Sequence, residues 1–190
     1  MRISSKLNIV VEVVTEEDGT IFVHSTPISR DVFERYFMII GKTFATIIGE
    51  GLTLISGPRV AAMLLKKVAA DAGVWDGPGG VEQGLMAEIR RLSSVVMPGP
   101  NGWKTLPLQD AISKKLLSDE DIAEVEGLLV FFICVSAMSR KTELLGLVSR
   151  LSVWGTQTTS LNSTEFAGSL QISTPDETSS STASTSSVPH

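Results

Sequence analysis

Cysteine is almost missing from this chain: Cys134 is the single one in 190 residues. No disulfide can form within the chain, and a thiolate metal site is excluded as a class. That usage fits a reducing cytoplasm. Histidine is nearly as scarce, with only His24 and His190. Aromatic residues make up 6% of the sequence, so aliphatic side chains must fill most of the core that a 43% hydrophobic content can build. Basic residues stop at Arg150; beyond it the only acidic or basic side chains, His190 aside, are Glu165, Asp176 and Glu177. A net charge of −5 and a pI near 5.1 argue against a dedicated nucleic-acid binder, which carries a basic excess. No apolar run is long enough for a bilayer. The longest, Gly127 to Met138 with Ser136 inside it, falls well short of the roughly 20 residues a span takes, and reads as a buried helix. The start, MRISSKLNIVVEVV, is short, β-branched and followed by TEED, so it reads as a strand and not a signal peptide.

What is present is mostly helical pattern. Residues 6–14 and 20–26 are rich in Val, Ile and Thr and flank the turn signal Asp18-Gly19, which predicts a hairpin over about 6–26. A hairpin is marginal alone. It should lie on the helices or pair with a strand from another copy or another protein. The central stretch is His24 to Gly51. Pro27 breaks the chain, Ser29 caps a helix over about 29–49, and Asp31 complements its dipole. Val32, Phe33, Tyr36, Phe37, Ile40, Phe44, Ile47 and Ile48 give it one broad apolar face, and Gly49 and Gly51 offer the stop.

Further helices are expected over 59–73, opened by Pro58, and over 81–96, with the stripe Leu85, Met86, Ile89 and Leu92. MPGPNGW (97–103) reads as an exposed loop, anchored by Trp103, and WKTLPL as strand-like. A short helix follows at 108–117. The next, 119 to about 140, is capped by Ser118 and turns almost wholly apolar after Glu126, as a helix packed on more than one side would. Residues 143–155 form another amphipathic pattern, 156–161 a polar connection, and 163–170 a last turn or two capped by Ser163. From Gln171 the chain is Ser/Thr-rich with almost nothing to bury, so disorder is expected over 171–190. The expected fold is therefore mainly α: one multi-helix domain over 1–170 with an N-terminal β-hairpin, and a disordered tail.

Catalytic motifs are lacking. His24 has Ser25, Thr26 and Ser29 nearby but no acid to orient it, and reads as a turn residue. Asp119, Glu120 and Asp121, with Glu124 and Glu126, do not follow calcium-loop spacing and read as acids at a helix N-terminus. GPGGVEQG (77–84) lacks the Lys-Ser/Thr end of a phosphate loop and reads as a connector. Arg59, Lys66, Lys67, Arg90 and Arg91 are solvated helix faces or contacts for an acidic partner surface. Cys134, within FFICVSAM, reads as a core thiol. No catalytic, metal or cofactor residue is assigned, and a scaffold, adaptor or chaperone fits better than an enzyme.

The runs VHSTPISRDVFERYFMIIGKTFATIIGEGL, GPRVAAMLLKKVA and GVEQGLMAEIRRL resemble small proteins encoded in the tail gene clusters of long-tailed bacteriophages. VWGTQTTSLNSTEFAGSL and the Ser/Thr tail add to the likeness, which spans most of 20–170. The nearest role is the tail assembly chaperone. The resemblance implies a helical, non-enzymatic protein of the host cytoplasm, absent from the mature virion. Its partners would be the tape measure protein, which it keeps soluble, and tail tube subunits that it helps recruit; nucleic acid and membrane are not expected, and a homo-oligomer is compatible. A longer product of a programmed frameshift is a family habit that the protein sequence cannot display. A chaperone for helices needs apolar faces to lend. Phe33, Tyr36, Phe37, Ile40, Phe44 and Ile47 are the candidate partner-binding residues, either core or offered surface, and the 143–154 stripe is a second candidate face. The alternative is a structural virion protein, a head–tail connector or tail completion protein, which the hairpin would serve by strand pairing between subunits.

Overall fold

The β-branched run Asn8–Thr15 has no polar alternation, as expected for a strand buried on both faces. In the computed structural model, which describes residues 7–15, 19–52, 56–138 and 155–170, it is β1, and it has a strand on either side. Gly19–Ser25 (β2) pairs with it antiparallel, from Ile9 opposite Ser25 to Thr15 opposite Gly19. The expected hairpin is therefore present. The turn residues 16–18 lie outside the described residues.

The hairpin does not stand alone. Ser93–Gly99 (β3) pairs with β2, and Gly102–Pro107 (β4) pairs with β3 across a tight turn at Pro100 and Asn101. Thr156–Thr159 (β5) pairs with the other side of β1. The result is a five-stranded antiparallel sheet in the order β4-β3-β2-β1-β5. With the helices it makes an α+β fold, which overturns the mainly α expectation. Two local misreadings underlie that. The helical pattern of 81–96 stops at Leu92, and Ser93 to Val96 instead extend along the edge that β2 presents; Met97 is buried in a strand and not exposed in a loop. The polar connection 156–161 supplies an edge strand, TQTT, whose backbone pairs although its side chains have little to bury.

Six α-helices and one π-helical turn are present among the described residues. They are α1 (Arg30–Gly49), α2 (Gly57–Asp71), α3 (Ala87–Arg91, continuing from the π turn Glu82–Met86), α4 (Leu108–Ser113), α5 (Asp119–Met138) and α6 (Ser163–Ser169). The expected helix at 143–154 lies outside the described residues, as do the C-terminal residues 171–190.

Strand alternation sorts the sheet into two apolar faces. Ile9, Val11, Val13, Ile21, Val23, Val95 and Met97 join the main core with the helices. Val10 and Val96 point the other way, where Phe166 and Ala167 of α6 cover them beside Phe22 and Trp103. Helix α5 is the centre of the main core, with Leu128 to Val135 all buried. Each such Leu, Val or Phe contributes about 1.5–3 kcal/mol by leaving water. Its approach to α2 is close enough to require glycine: a Cβ on Gly127 would lie 2.4 Å from the Pro58 carbonyl oxygen, and one on Gly57 would lie 2.9 Å from the Phe131 ring. Arg90 of α3 ties to Glu126 of α5 through a partly buried ion pair at 2.6 Å.

Candidate functional site

Helix α1 forms where the sequence places it. The Ser29 hydroxyl accepts from the Val32 N–H at 3.4 Å, and Asp31 occupies the first turn. The helix ends in a left-handed Gly51 (φ 67°), with the Leu52 N–H donating to the Ile47 carbonyl. Its residues divide between two opposite sides. Tyr36, Ile40, Thr43 and Ile47 face the core and are almost fully buried, while Phe33 and Phe44 are half-buried on the flank. Phe37 is 47% exposed and meets the Phe33 ring near-perpendicular, with centroids 5.7 Å apart. So of the six residues singled out for partner binding, three are core, two are half-buried and one, Phe37, is offered to solvent.

Met38 is not among the apolar-face residues named from the sequence, and Ile48, which is among them, is not in the candidate partner-binding set. Met38 (64% exposed) and Ile48 (61%) lie on the same outward side, with Gly41 and Ala45 between them at helical spacing. The signal was there: α1 is apolar at positions on both sides, which a helix with a single buried stripe does not need. Beside this side, α1 and α2 diverge into an open groove of ≈ 490 Å³ lined by Lys42, Ala45, Thr46, Val68, Asp71 and Ala72. On α2, Met63 is 66% exposed, and Val74 just after it 41%. Every large hydrophobic residue exposed among the described residues thus belongs to α1, α2 or the turn that follows α2.

The residues that raised chemical questions have structural partners. His24 is buried in β2; its Nε2 lies 3.0 Å from the Leu161 carbonyl oxygen, which fixes the donor at Nε2 because a carbonyl only accepts. Asn8 Nδ2 donates to the same oxygen at 2.7 Å, and Phe166 packs against the His24 ring at 6.2 Å. His24 is thus a sheet residue holding the segment 155–170, not a turn residue. That segment's helix is capped by Asn162 and not Ser163: Asn162 Oδ1 accepts from the Thr164 and Glu165 N–H groups, and Glu165 reaches back to the Asn162 N–H. Ser118 and Asp121 close on each other at the start of α5, with Ser118 Oγ donating to Asp121 Oδ2 at 2.6 Å and accepting from the Asp121 N–H. Arg91, hydrogen-bonded to both oxygens of Glu88, holds that carboxyl below its ordinary range. Burial pushes the Cys134 thiol up to about 12, so it is neither a nucleophile nor a ligand at neutral pH. The GPGG stretch is tied to α1: Tyr36 Oη donates to the Gly79 and Gly80 carbonyls at 3.0 and 3.3 Å.

Among the described residues, no three acidic, histidine or cysteine side chains gather as a metal site would require. No helix among them is long and apolar enough to cross a membrane. The arrangement can bind an apolar surface. The fold defines the class, an α+β domain with a two-helix layer open to solvent. No protein-family model, curated protein or solved structure matches the chain.

Proposed function

We propose that this protein is a non-enzymatic assembly chaperone that lends the outward side of α1 to a helical client. In the reading that the sequence resemblance supports, the client is a phage tape measure protein, kept soluble in the host cytoplasm while tail tube subunits gather round it. The single observation in its favour is the exposed stripe Phe37, Met38 and Ile48 on a helix whose other side already fills the core. A helix that needed only to fold would carry polar residues there.

The connector reading drew on a hairpin free to pair between subunits. The base of that hairpin is already paired on both sides within the chain's own sheet, Phe22–Ser25 with β3 and Asn8–Val11 with β5, which weakens that support.

Co-expression with the tape measure protein tests the proposal. The expected outcome is that the client moves from the pellet to the soluble fraction and co-purifies. Unchanged solubility without co-purification would reject it, and stoichiometric presence in purified virions would favour a structural component instead.

A further inference from the structure

The α1–α2 layer differs from the rest of the molecule in charge as well as in exposed apolar area. Helices α1 and α2 together hold six cationic and three anionic side chains, a net +3 within a chain of net −5. Two anions are already engaged: Glu34 with Arg30 at 2.6 Å and Asp71 with Lys67 at 3.2 Å. Arg35 and Lys42 are exposed on α1, Lys42 on the groove itself, and Lys66 sits over the Trp75 ring at 5.6 Å. Met38 and Met63, unbranched and polarizable, are suited to shaping around another helix.

We propose that this layer is the docking surface for an amphipathic helix of a partner, with carboxylates flanking its apolar stripe. The inference deepens the chaperone reading and rests on it for the client's identity; the chemistry of the docked helix follows from the surface. An apolar stripe would cover Phe37, Met38 and Ile48, and flanking Glu or Asp side chains would reach Arg35 and Lys42. A second copy of this chain is a poorer occupant. Its own α1–α2 layer has the same sign, and its acidic helix α5 has Val125 and Leu128 to Val135 buried. Opposed charge at the rim also raises the encounter rate and discourages basic competitors.

Two labelled peptides the length of α1 provide the test, with the same Leu/Ala stripe and either Glu or Lys on both flanks. Fluorescence anisotropy with the full chain should show binding of the Glu peptide, weakened roughly tenfold when salt rises from about 0.05 to 0.5 M. Charge reversal in the Arg35→Glu, Lys42→Glu double variant should weaken it roughly tenfold as well. The Met38→Ser, Ile48→Ser variant should also weaken it, with an unchanged circular dichroism spectrum in both cases. Equal or tighter binding of the Lys peptide, or no binding of either, overturns the inference. So does light scattering that shows a dimer whose formation excludes the Glu peptide, since the occupant is then a second copy. Should the Glu peptide bind while the tape measure protein stays insoluble, the chaperone reading fails and the surface assignment stands. Should the charge-reversed variant solubilise the client as well as the parent chain, the surface assignment fails and the chaperone reading stands.

Discussion

Tyr36 of α1 and Gly84 of the π turn interlock: a Cβ on Gly84 would lie 1.6 Å from Tyr36 Oη. The hydroxyl occupies the space of the missing side chain and donates to the Gly79 and Gly80 carbonyls. The glycine that lowers helix propensity at this point is what lets α1 meet the 75–81 loop. Gly84→Ala should destabilise the fold by roughly 3 kcal/mol, as overpacking in a close-packed core does. Tyr36→Phe alone should cost about 1 kcal/mol for the lost hydrogen bonds. Because both changes act on one contact, urea unfolding of the double variant should show less than the summed loss.

Gly127 and the Pro58 carbonyl make a second close approach, this time with backbone as the obstacle. Alanine is the better helix former by about 1 kcal/mol, but a carbonyl 2.4 Å away has no rotamer to escape into. Gly127→Ala should therefore lower stability by roughly 2 kcal/mol, since α2 and α5 must part. A rise in the denaturation midpoint would show that the helices tolerate wider spacing.

The two sides of α1 should respond oppositely to truncation. Ile40→Ala and Ile47→Ala remove fully buried side chains and should each cost about 2–5 kcal/mol. Met38→Ser and Ile48→Ser, on the exposed side, should change stability by no more than about 0.5 kcal/mol while reducing client solubilisation. A thermal shift series on the four variants, read beside the co-expression assay, separates folding from binding.

His24→Ala should loosen one region and leave the rest. The Leu161 carbonyl would keep Asn8 as its donor, while Phe166 would lose the His24 ring and keep its contact with Phe22. Amide exchange should speed up in Thr156–Thr159 and Ser163–Ser169, with α5 protected as before. Equal loss of protection in α5 would mean that the two cores unfold as one.

Cys134 sets an alkaline limit. Its folded pKa, about 12, is raised above the ordinary 9.0, so the folded chain keeps a proton that the unfolded chain gives up. The stability linked to this thiol is fully present below pH 9.0 and is lost as pH climbs toward about 12. Cys134→Ala should flatten that alkaline decline. A thiol-specific chromophoric reagent should react at pH 8 only as fast as the protein unfolds.

Several elements are legible from the chain alone. Ser29, the apolar period and Gly51 fix α1 at both ends; β-branched runs around Asp18-Gly19 fix the hairpin strands; the unbroken apolar sequence after Glu126 marks α5 as central. Others are not. Ser93 to Val96 has a length and composition open to either helix or strand, and β2 decides between them by offering a free edge. The TQTT strand has no apolar signature because its contribution is backbone pairing to β1.

The candidate surface divides in the same way. Local residue chemistry determined that α1 would be a helix rich in apolar positions, because capping, propensity and the 3.6-residue period act within the helix itself. It could not say which of those positions would be covered. That depends on where α2, α5 and the sheet lie, and on contacts between residues far apart in sequence. Only the tertiary structure turned Tyr36, Ile40 and Ile47 inward and left Phe37, Met38 and Ile48 in solvent.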